Sequence, residues 1–293
     1  MSEFKVNTIT NKDGSYGPQV CGITTFGSSG LQLPSGPTDF RGGRGRAVFL
    51  RGYVPGTNNT IDFVNIATKG DAQDFGDTVG SYVQFAAAGS ATRGIVSGAN
   101  TPAGESYYFT FSTTGTVVDF GNQTAVRRGC GACNDSTRAL FAGGKQNPSP
   151  ASIFYNVIDF FTFSTTGDAN GFGDLTINTR QRAGCSSPTR GLFASGFDSP
   201  TNYNVIDYIT IATQGNAIDF GDTLQTAVHN TGTACSKTRA LFAGGYHYDT
   251  ATSNVISFAT IATTGNAIDF GDLTAPGSIG NDGAASDING GLG

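Results

Sequence analysis

The sequence predicts an all-β fold, a five-bladed β-propeller, from its composition, from a repeated segment and from the length of that repeat. The 293 residues include 43 Gly and 22 Phe but no Trp, and only 13% are charged. A segment of alternating strand and turn residues occurs five times along the chain. Its period of roughly 45–50 residues is that of a four-stranded propeller blade.

The residue types favour strands and tight turns over helices. Glu and Lys, which are common on exposed helices, are scarce, whereas Thr, Ile, Val, Phe and Gly are abundant. The net charge of −5 disfavours a nucleic-acid partner, because phosphate binding requires a dense basic surface. No apolar run reaches the length of a transmembrane segment, so we expect no membrane insertion.

The second half of each repeat is the best preserved part. Three copies read NVIDFFTFSTTGDANGFGDLT, NVIDYITIATQGNAIDFGDTL and NVISFATIATTGNAIDFGDLT, beginning at Asn156, Asn204 and Asn254. Two weaker copies read TIDFVNIATKGDAQDFGDT and YYFTFSTTGTVVDFGNQT. The ATTG or STTG segment predicts a hairpin turn, because Gly readily adopts the positive φ that a tight connection requires. The five turn glycines are Gly70, Gly115, Gly167, Gly215 and Gly265.

A second motif, seen as TRALFAGG and TRGLFASG, precedes each of these copies and predicts two further strands. A strand of small residues such as RAGCSS leads into RGLFASG, and a variable loop then leads to the NVIDYITI strand. The predicted blades are residues 44–79, 80–125, 126–177, 178–225 and 226–274. We expect the segment 275–293 to supply a closing strand to blade 1, because SIGNDGAASD at 278–287 aligns with the leading strands of the other blades.

The repeat resembles a kelch repeat over residues 44 to about 290. Gly143-Gly144 and Gly244-Gly245 match the double glycine that ends the second strand of that family. The fourth-strand Trp of the family is replaced by Phe in every copy. The resemblance implies a kelch-like propeller, and it implies little about function.

Residues 1–43 stand outside the repeat and predict an extended N-terminal arm. Their opening, KVNTITNKDGSYGPQVCGITTF, resembles N-terminal segments of structural proteins from tailed bacteriophages of marine cyanobacteria, and the repeat is similar to repeats of the same proteins. This resemblance implies a virion protein of the tail fibre or baseplate, assembled in the host cytoplasm. It implies other virion proteins as partners of residues 1–43, and several copies of the chain in the particle.

One arginine opens the second strand of each repeat, and we interpret this position as structural. A residue that recurs in every blade suits packing or hydrogen bonding between blades, whereas catalysis requires an asymmetric set of residues. The five arginines are Arg46, Arg93, Arg138, Arg190 and Arg239.

Neither a metal nor a cofactor is predicted. Cys130 and Cys133 form a CxxC pair, but a zinc site needs four ligands. Cys133, Cys185 and Cys235 lie in the small-residue strand, which favours packing near the propeller axis. The Asp that ends each DFGD motif could bind calcium or accept backbone hydrogen bonds, and we favour the second role because no D-x-D-x-D-G run is present.

Signatures of an enzyme are weak, so we expect a non-enzymatic protein. Only His229 and His247 could act as bases near neutral pH, and no GxSxG motif is present. Paired carboxylates for cleavage of a polysaccharide remain an alternative, because Asp is abundant.

The loops between the second and third strands differ from blade to blade, and recognition usually resides in variable loops on a fixed scaffold. They are rich in Tyr, which suits contact with a glycan or a protein. The predicted binding residues of this loop face are Tyr53, Tyr107, Tyr108, Tyr155, Tyr203, Tyr246, His247 and Tyr248. The predicted ligand is a neighbouring virion protein or a host surface receptor. Capsid decoration and glycan binding as a lectin are the alternatives.

Overall fold

The computed structural model describes residues 46–50, 59–65, 69–81, 84–101, 103–147, 153–198, 201–225, 232–247 and 251–276. Within these residues the protein is all-β, and five small sheets stand in a ring as the blades of a β-propeller. The predicted fold class and blade number are therefore confirmed. The arm 1–43, the closing segment 278–287, Tyr53 and Tyr248 lie outside the described residues.

The strands follow the order that the repeat predicts. Blade 1 has β1 (Arg46–Leu50), β2 (Thr60–Asn65) and β3 (Gln73–Asp77), and blade 2 has β4 (Ala86–Gly89), β5 (Arg93–Ser97), β6 (Glu105–Thr110) and β7 (Val118–Asn122). Blade 3 has β8 (Arg127–Arg128), β9 (Gly131–Asn134), β10 (Arg138–Ala142), β11 (Lys145–Gln146), β12 (Val157–Thr162) and β13 (Asn170–Asp174). Blade 4 has β14 (Ala183–Ser186), β15 (Arg190–Ala194), β16 (Phe197–Asp198), β17 (Thr201–Asn202), β18 (Val205–Thr210) and β19 (Ile218–Asp222). Blade 5 has β20 (Gly232–Cys235), β21 (Arg239–Ala243), β22 (Tyr246–His247), β23 (Ala251–Thr252), β24 (Val255–Thr260) and β25 (Ile268–Asp272).

Each sheet is an antiparallel meander. Blade 2 has the order β4-β5-β6-β7, and blades 3 to 5 have the equivalent order, whereas blade 1 has three described strands. The short strands β8 and β11, β16 and β17, and β22 and β23 pair as separate two-stranded ribbons. The first strands of blades 2 to 5 contact one another and so surround the propeller axis. Small residues are needed there, because a Cβ on Gly184 would overlap the backbone of Ala132 in the neighbouring blade.

The hydrophobic core lies between the blades and not within them. Each of the four core clusters combines residues from two neighbouring sheets. Phe75 of blade 1 meets Phe109 of blade 2 edge to face at 5.4 Å, and Phe120 of blade 2 meets Phe161 of blade 3 in the same way. A single blade therefore cannot bury its apolar residues alone, which is the usual property of repeat architectures.

The outermost strand of each of blades 1 to 4 is covered by the hairpin turn of the next blade. Gly115 N donates to Phe75 O at 2.6 Å, and Val117 N donates to Asp77 O at 3.0 Å. Equivalent pairs of hydrogen bonds join blades 2 and 3, blades 3 and 4, and blades 4 and 5. Because these bonds satisfy the free edge of each outer strand, they also protect it from pairing with another chain.

The junction between blades 5 and 1 differs from the other four in the described residues. Phe270 of β25 is 52% exposed, whereas its counterparts Phe75, Phe120, Phe172 and Phe220 are 2–3% exposed. A Cβ on Gly271 would have no atom within 4 Å, although the equivalent position of blades 1 to 4 abuts the next turn. Phe49 of β1 is also exposed. No other part of the chain that the structure describes therefore covers the outer strand of blade 5.

Candidate binding face

Within the described residues, four of the repeated arginines join neighbouring blades. Arg93 donates to Phe163 O of blade 3 at 2.9 Å, and Arg138 donates to Ile211 O of blade 4 at 2.9 Å. Arg46 and Arg190 make equivalent bonds to Phe111 O and Ile261 O. Each guanidinium also lies over an aromatic ring of its own sheet, and this holds for Arg239 over Phe258 at 4.7 Å. These side chains are occupied by contacts that hold the scaffold together.

The structure brings the variable loops and the connections between blades to one face, here called the loop face. Strand β8, from the connection before blade 3, pairs with β11, from the loop after β10, in the register Lys145 to Arg128. In blade 4, Arg180 of the preceding connection forms a bridge with Phe197 of β16. The loop face is therefore defined here by the connections before each blade together with the loops between its second and third strands.

The predicted tyrosines do not all lie on this face. Tyr107 is buried in β6, where it belongs to the core between blades 1 and 2. Tyr108 is half-buried, with its ring 5.0 Å from the Arg93 guanidinium and edge to face with Phe120. Both residues follow Glu105 in β6, the third strand of their blade. The aromatic residues of this strand follow the loop directly, so the sequence pattern does not show where the loop ends and the strand begins.

The remaining described tyrosines are on the loop face. Tyr155 and Tyr203 are half-buried at equivalent positions, and their backbone N–H groups donate to Gly144 O and Gly196 O. Tyr246 is 40% exposed in β22, and His247 follows it, paired with Ala251. Three tyrosines of the predicted set thus lie in the part of the loop face that the structure describes.

Two arginines of the connections are buried and form ion pairs beneath the loop face. Arg127 pairs with Asp159 at 2.8 Å, and Arg182 pairs with Asp207 at 2.9 Å, with all four side chains fully buried. Thr124 and Thr176 donate hydrogen bonds to the same two carboxylates. Burial raises the pKa of Asp207, although Arg182 and Thr176 oppose that shift. These pairs are enclosed by protein, so they are not reaction sites for an external substrate.

The two pairs are built from different sequence positions. Arg127 lies four residues before the strand that begins at Gly131, whereas Arg182 directly precedes the strand that begins at Ala183. Both guanidiniums nevertheless reach an aspartate at the same register position of the third strand. The recurring Asp was visible in the sequence, but its two arginine partners were not, since they do not occupy a repeated position.

A second set of cations lies on the loop face itself, between blades 3 and 4. Arg128 and Lys145 are paired across the β8 and β11 ribbon, and Arg180 lies against Gly129, the residue after Arg128. All three side chains are half-buried. Burial lowers the pKa of Arg180, and the charge of Arg128 lowers it further. Neither Arg128 nor Arg180 takes part in the two ion pairs found among the described residues.

The backbone beside these cations is strained. Gln181 adopts a φ of 56° and Gln84, at the equivalent position of blade 2, a φ of 65°, where residues other than Gly are uncommon. The N–H of Gln181 donates to Gly129 O at 2.7 Å, which holds the Arg128 and Arg180 segments together. Sparsely populated backbone conformations persist where surrounding contacts enforce them, and they are frequent at binding sites.

The four described cysteines are buried in the scaffold. Burial raises the pKa of Cys130 and Cys133, and a hydrogen bond with Cys235 together with burial raises that of Cys185. Cys235 pairs with Ala240 and so lies one register position beyond Cys133 and Cys185, where its thiol donates to Ser186 O. Cys130 and Cys133 contribute to different core clusters.

We expect the native protein to protect these four thiols from an alkylating reagent or Ellman's reagent. The thiolate is the reactive form, and burial disfavours it. Mass spectrometry of the labelled peptides should find Cys130, Cys133, Cys185 and Cys235 unmodified until a denaturant is added. Rapid modification of any of them in the native state would contradict this packing.

The described residues contain no group of three or more His, Cys, Asp and Glu side chains placed to hold a metal ion. Within the same residues there is no helix with the length and apolar character to cross a membrane. Comparison with models of known protein families and with curated proteins found no match to this chain.

Proposed function

We propose that this chain is a structural protein of a tailed bacteriophage particle, attached to the particle by residues 1–43 and binding a ligand through the loop face of its propeller. The resemblance of the N-terminal segment and of the repeat to phage structural proteins supports the attachment. The cations between blades 3 and 4 support the binding role, because they lie on the face where the loops vary and contacts within the protein occupy them only in part.

The distribution of charged groups favours one binding region over five equivalent ones. The repeated arginines are used between blades, whereas Arg128, Lys145 and Arg180 occur at one junction of the ring. A lectin with one sugar pocket per blade would place the same residues in each blade. The loop face therefore supports a receptor-binding or assembly module more than a symmetric lectin.

Deleting residues 1–43 is expected to leave a folded propeller that no longer joins phage particles. Purified particles from hosts that express the truncated or the full-length chain would be compared by immunoblot, with circular dichroism of the isolated proteins to verify folding. The matched control is the full-length chain with Arg128→Gln and Arg180→Met, which should still join the particle. Incorporation of the truncated chain at the full-length level would refute the proposed role of the arm.

Antibody labelling of the particles in the electron microscope would show whether the chain is attached to the tail fibre or baseplate, or to the capsid. Labels on the tail fibre or baseplate are the expected result and agree with contact to a host surface. Labels distributed over the capsid would instead favour the alternative of a decoration protein.

A further inference from the structure

Three cations lie together at the loop face although the protein carries a net charge of −5. The Arg128 and Lys145 backbones are cross-strand partners, and a Cβ at Gly129 would lie 3.8 Å from Arg180 Cβ. The charges of Arg128 and Arg180 act on each other, and repulsion between like charges destabilises a folded protein unless an anion offsets it. The folded chain thus concentrates positive potential at one place.

The hydrogen bonds of these side chains are incomplete within the protein. Arg128 donates one bond to Asn100 Oδ1 at 3.0 Å, but its Nε and the Nε of Arg180 have no partner. The side chain of Arg180 is instead supported by the ring of Phe197, 5.3 Å from its guanidinium carbon. A planar guanidinium held in place by stacking is well suited to bind an oxyanion through its terminal N–H groups.

An unused acceptor lies beside Arg180. The side-chain oxygen of Gln181, the next residue, is buried and has no hydrogen-bond partner. It reaches a ligand only if the side chain changes rotamer, and the absence of a protein hydrogen bond to this oxygen lowers the cost of that change. An acceptor of this type requires an O–H or N–H donor from the ligand.

We propose that the loop face between blades 3 and 4 binds an acidic saccharide, with Arg128 and Arg180 at its carboxylate or sulfate group and Gln181 at one of its hydroxyls. The inference rests on the proposed binding role of the loop face and names the ligand class. An acidic peptide would satisfy the arginines with its carboxylates but could donate to the glutamine oxygen only through its backbone N–H groups, whereas each ring of an acidic saccharide carries several hydroxyl donors. The half-buried Tyr155 and Tyr203 provide aromatic surface and hydroxyl groups on the same face.

The test compares binding of polygalacturonate and dextran sulfate with binding of neutral dextran and poly-glutamate, by calorimetry at low salt. The full-length protein should bind one or both acidic polysaccharides and not dextran. The variant with Arg128→Gln and Arg180→Met should bind about 10- to 100-fold more weakly, since it loses two charge-assisted contacts. Its melting temperature should equal or exceed that of the native protein, because the repulsion is removed while the Met side chain retains the packing on Phe197.

The matched control is the variant with Lys69→Gln and Lys237→Met, two exposed lysines of the turns at the opposite end of the blades. It removes the same net charge and should bind as the native protein does. An equal loss in this control would mean unspecific attraction and would overturn the site. Equal binding of poly-glutamate would overturn the saccharide class, and a fall in melting temperature without a change in affinity would assign the two arginines to the scaffold. The protein without residues 1–43 should still bind the polysaccharide. This measurement keeps the test of the saccharide site independent of the test of particle attachment by residues 1–43.

Discussion

Replacing Asp207 with alanine is expected to lower the free energy of unfolding by about 3–5 kcal/mol, because the substitution leaves the buried Arg182 guanidinium without its counter-charge. Arg182 donates to Asp207 at 2.9 Å and also to Phe193 O at 2.7 Å, and no part of either side chain reaches solvent. Chemical denaturation followed by fluorescence or circular dichroism would measure the loss.

The control for this prediction removes both charges together. The double variant with Arg182→Met and Asp207→Leu should be more stable than either single variant, since it leaves no unpaired charge in the core. The Arg127 and Asp159 pair of blade 3 should behave in the same way, because it has the same geometry from a different sequence position. A cost below about 1 kcal/mol for Asp207→Ala would mean that water reaches the site in solution.

Replacing Gly221 with alanine is expected to cost about 2 kcal/mol more than replacing Gly271. Both glycines have the same backbone conformation, with φ of 139° and 141°. The cost of forcing alanine into that conformation is therefore the same for the two variants. A Cβ at Gly221 would lie 2.6 Å from the carbonyl group of Gly265 in the next blade, whereas a Cβ at Gly271 meets nothing within 4 Å. The difference between the two variants therefore isolates the contact between blades.

Equal costs would contradict the uncovered outer strand of blade 5 and would show that a turn covers it in solution. The turn of blade 1 has the matching residues, since Gly70, Asp71 and Ala72 correspond to Gly265, Asn266 and Ala267. In the turn of blade 5, Gly265 N and Ala267 N donate to the backbone oxygens of Phe220 and Asp222 in blade 4. Asn266 Oδ1 of the same turn accepts a hydrogen bond from Asp222 N. The three residues of blade 1 are exposed in the structure.

Several features of the loop face could not be predicted from the sequence. Tyr107 and Tyr108 are adjacent to a variable loop in the chain, yet the register of β6 directs one into the core and the other beneath Arg93. A shift of one residue moves a strand side chain to the opposite face of its sheet.

The amino-acid sequence by itself determined the strands, the hairpin turns and the number of blades. These features depend on local patterns, such as the glycine of each turn and the alternation of apolar residues, and the repeat presents each pattern several times. Only the tertiary structure decided which arginines are buried, which remain on the loop face, and which outer strand is uncovered. Those outcomes depend on contacts between residues distant in the chain, from the 25 residues between Arg182 and Asp207 to the 73 between Arg138 and Ile211, where burial and pairing are set by packing and not by local preference.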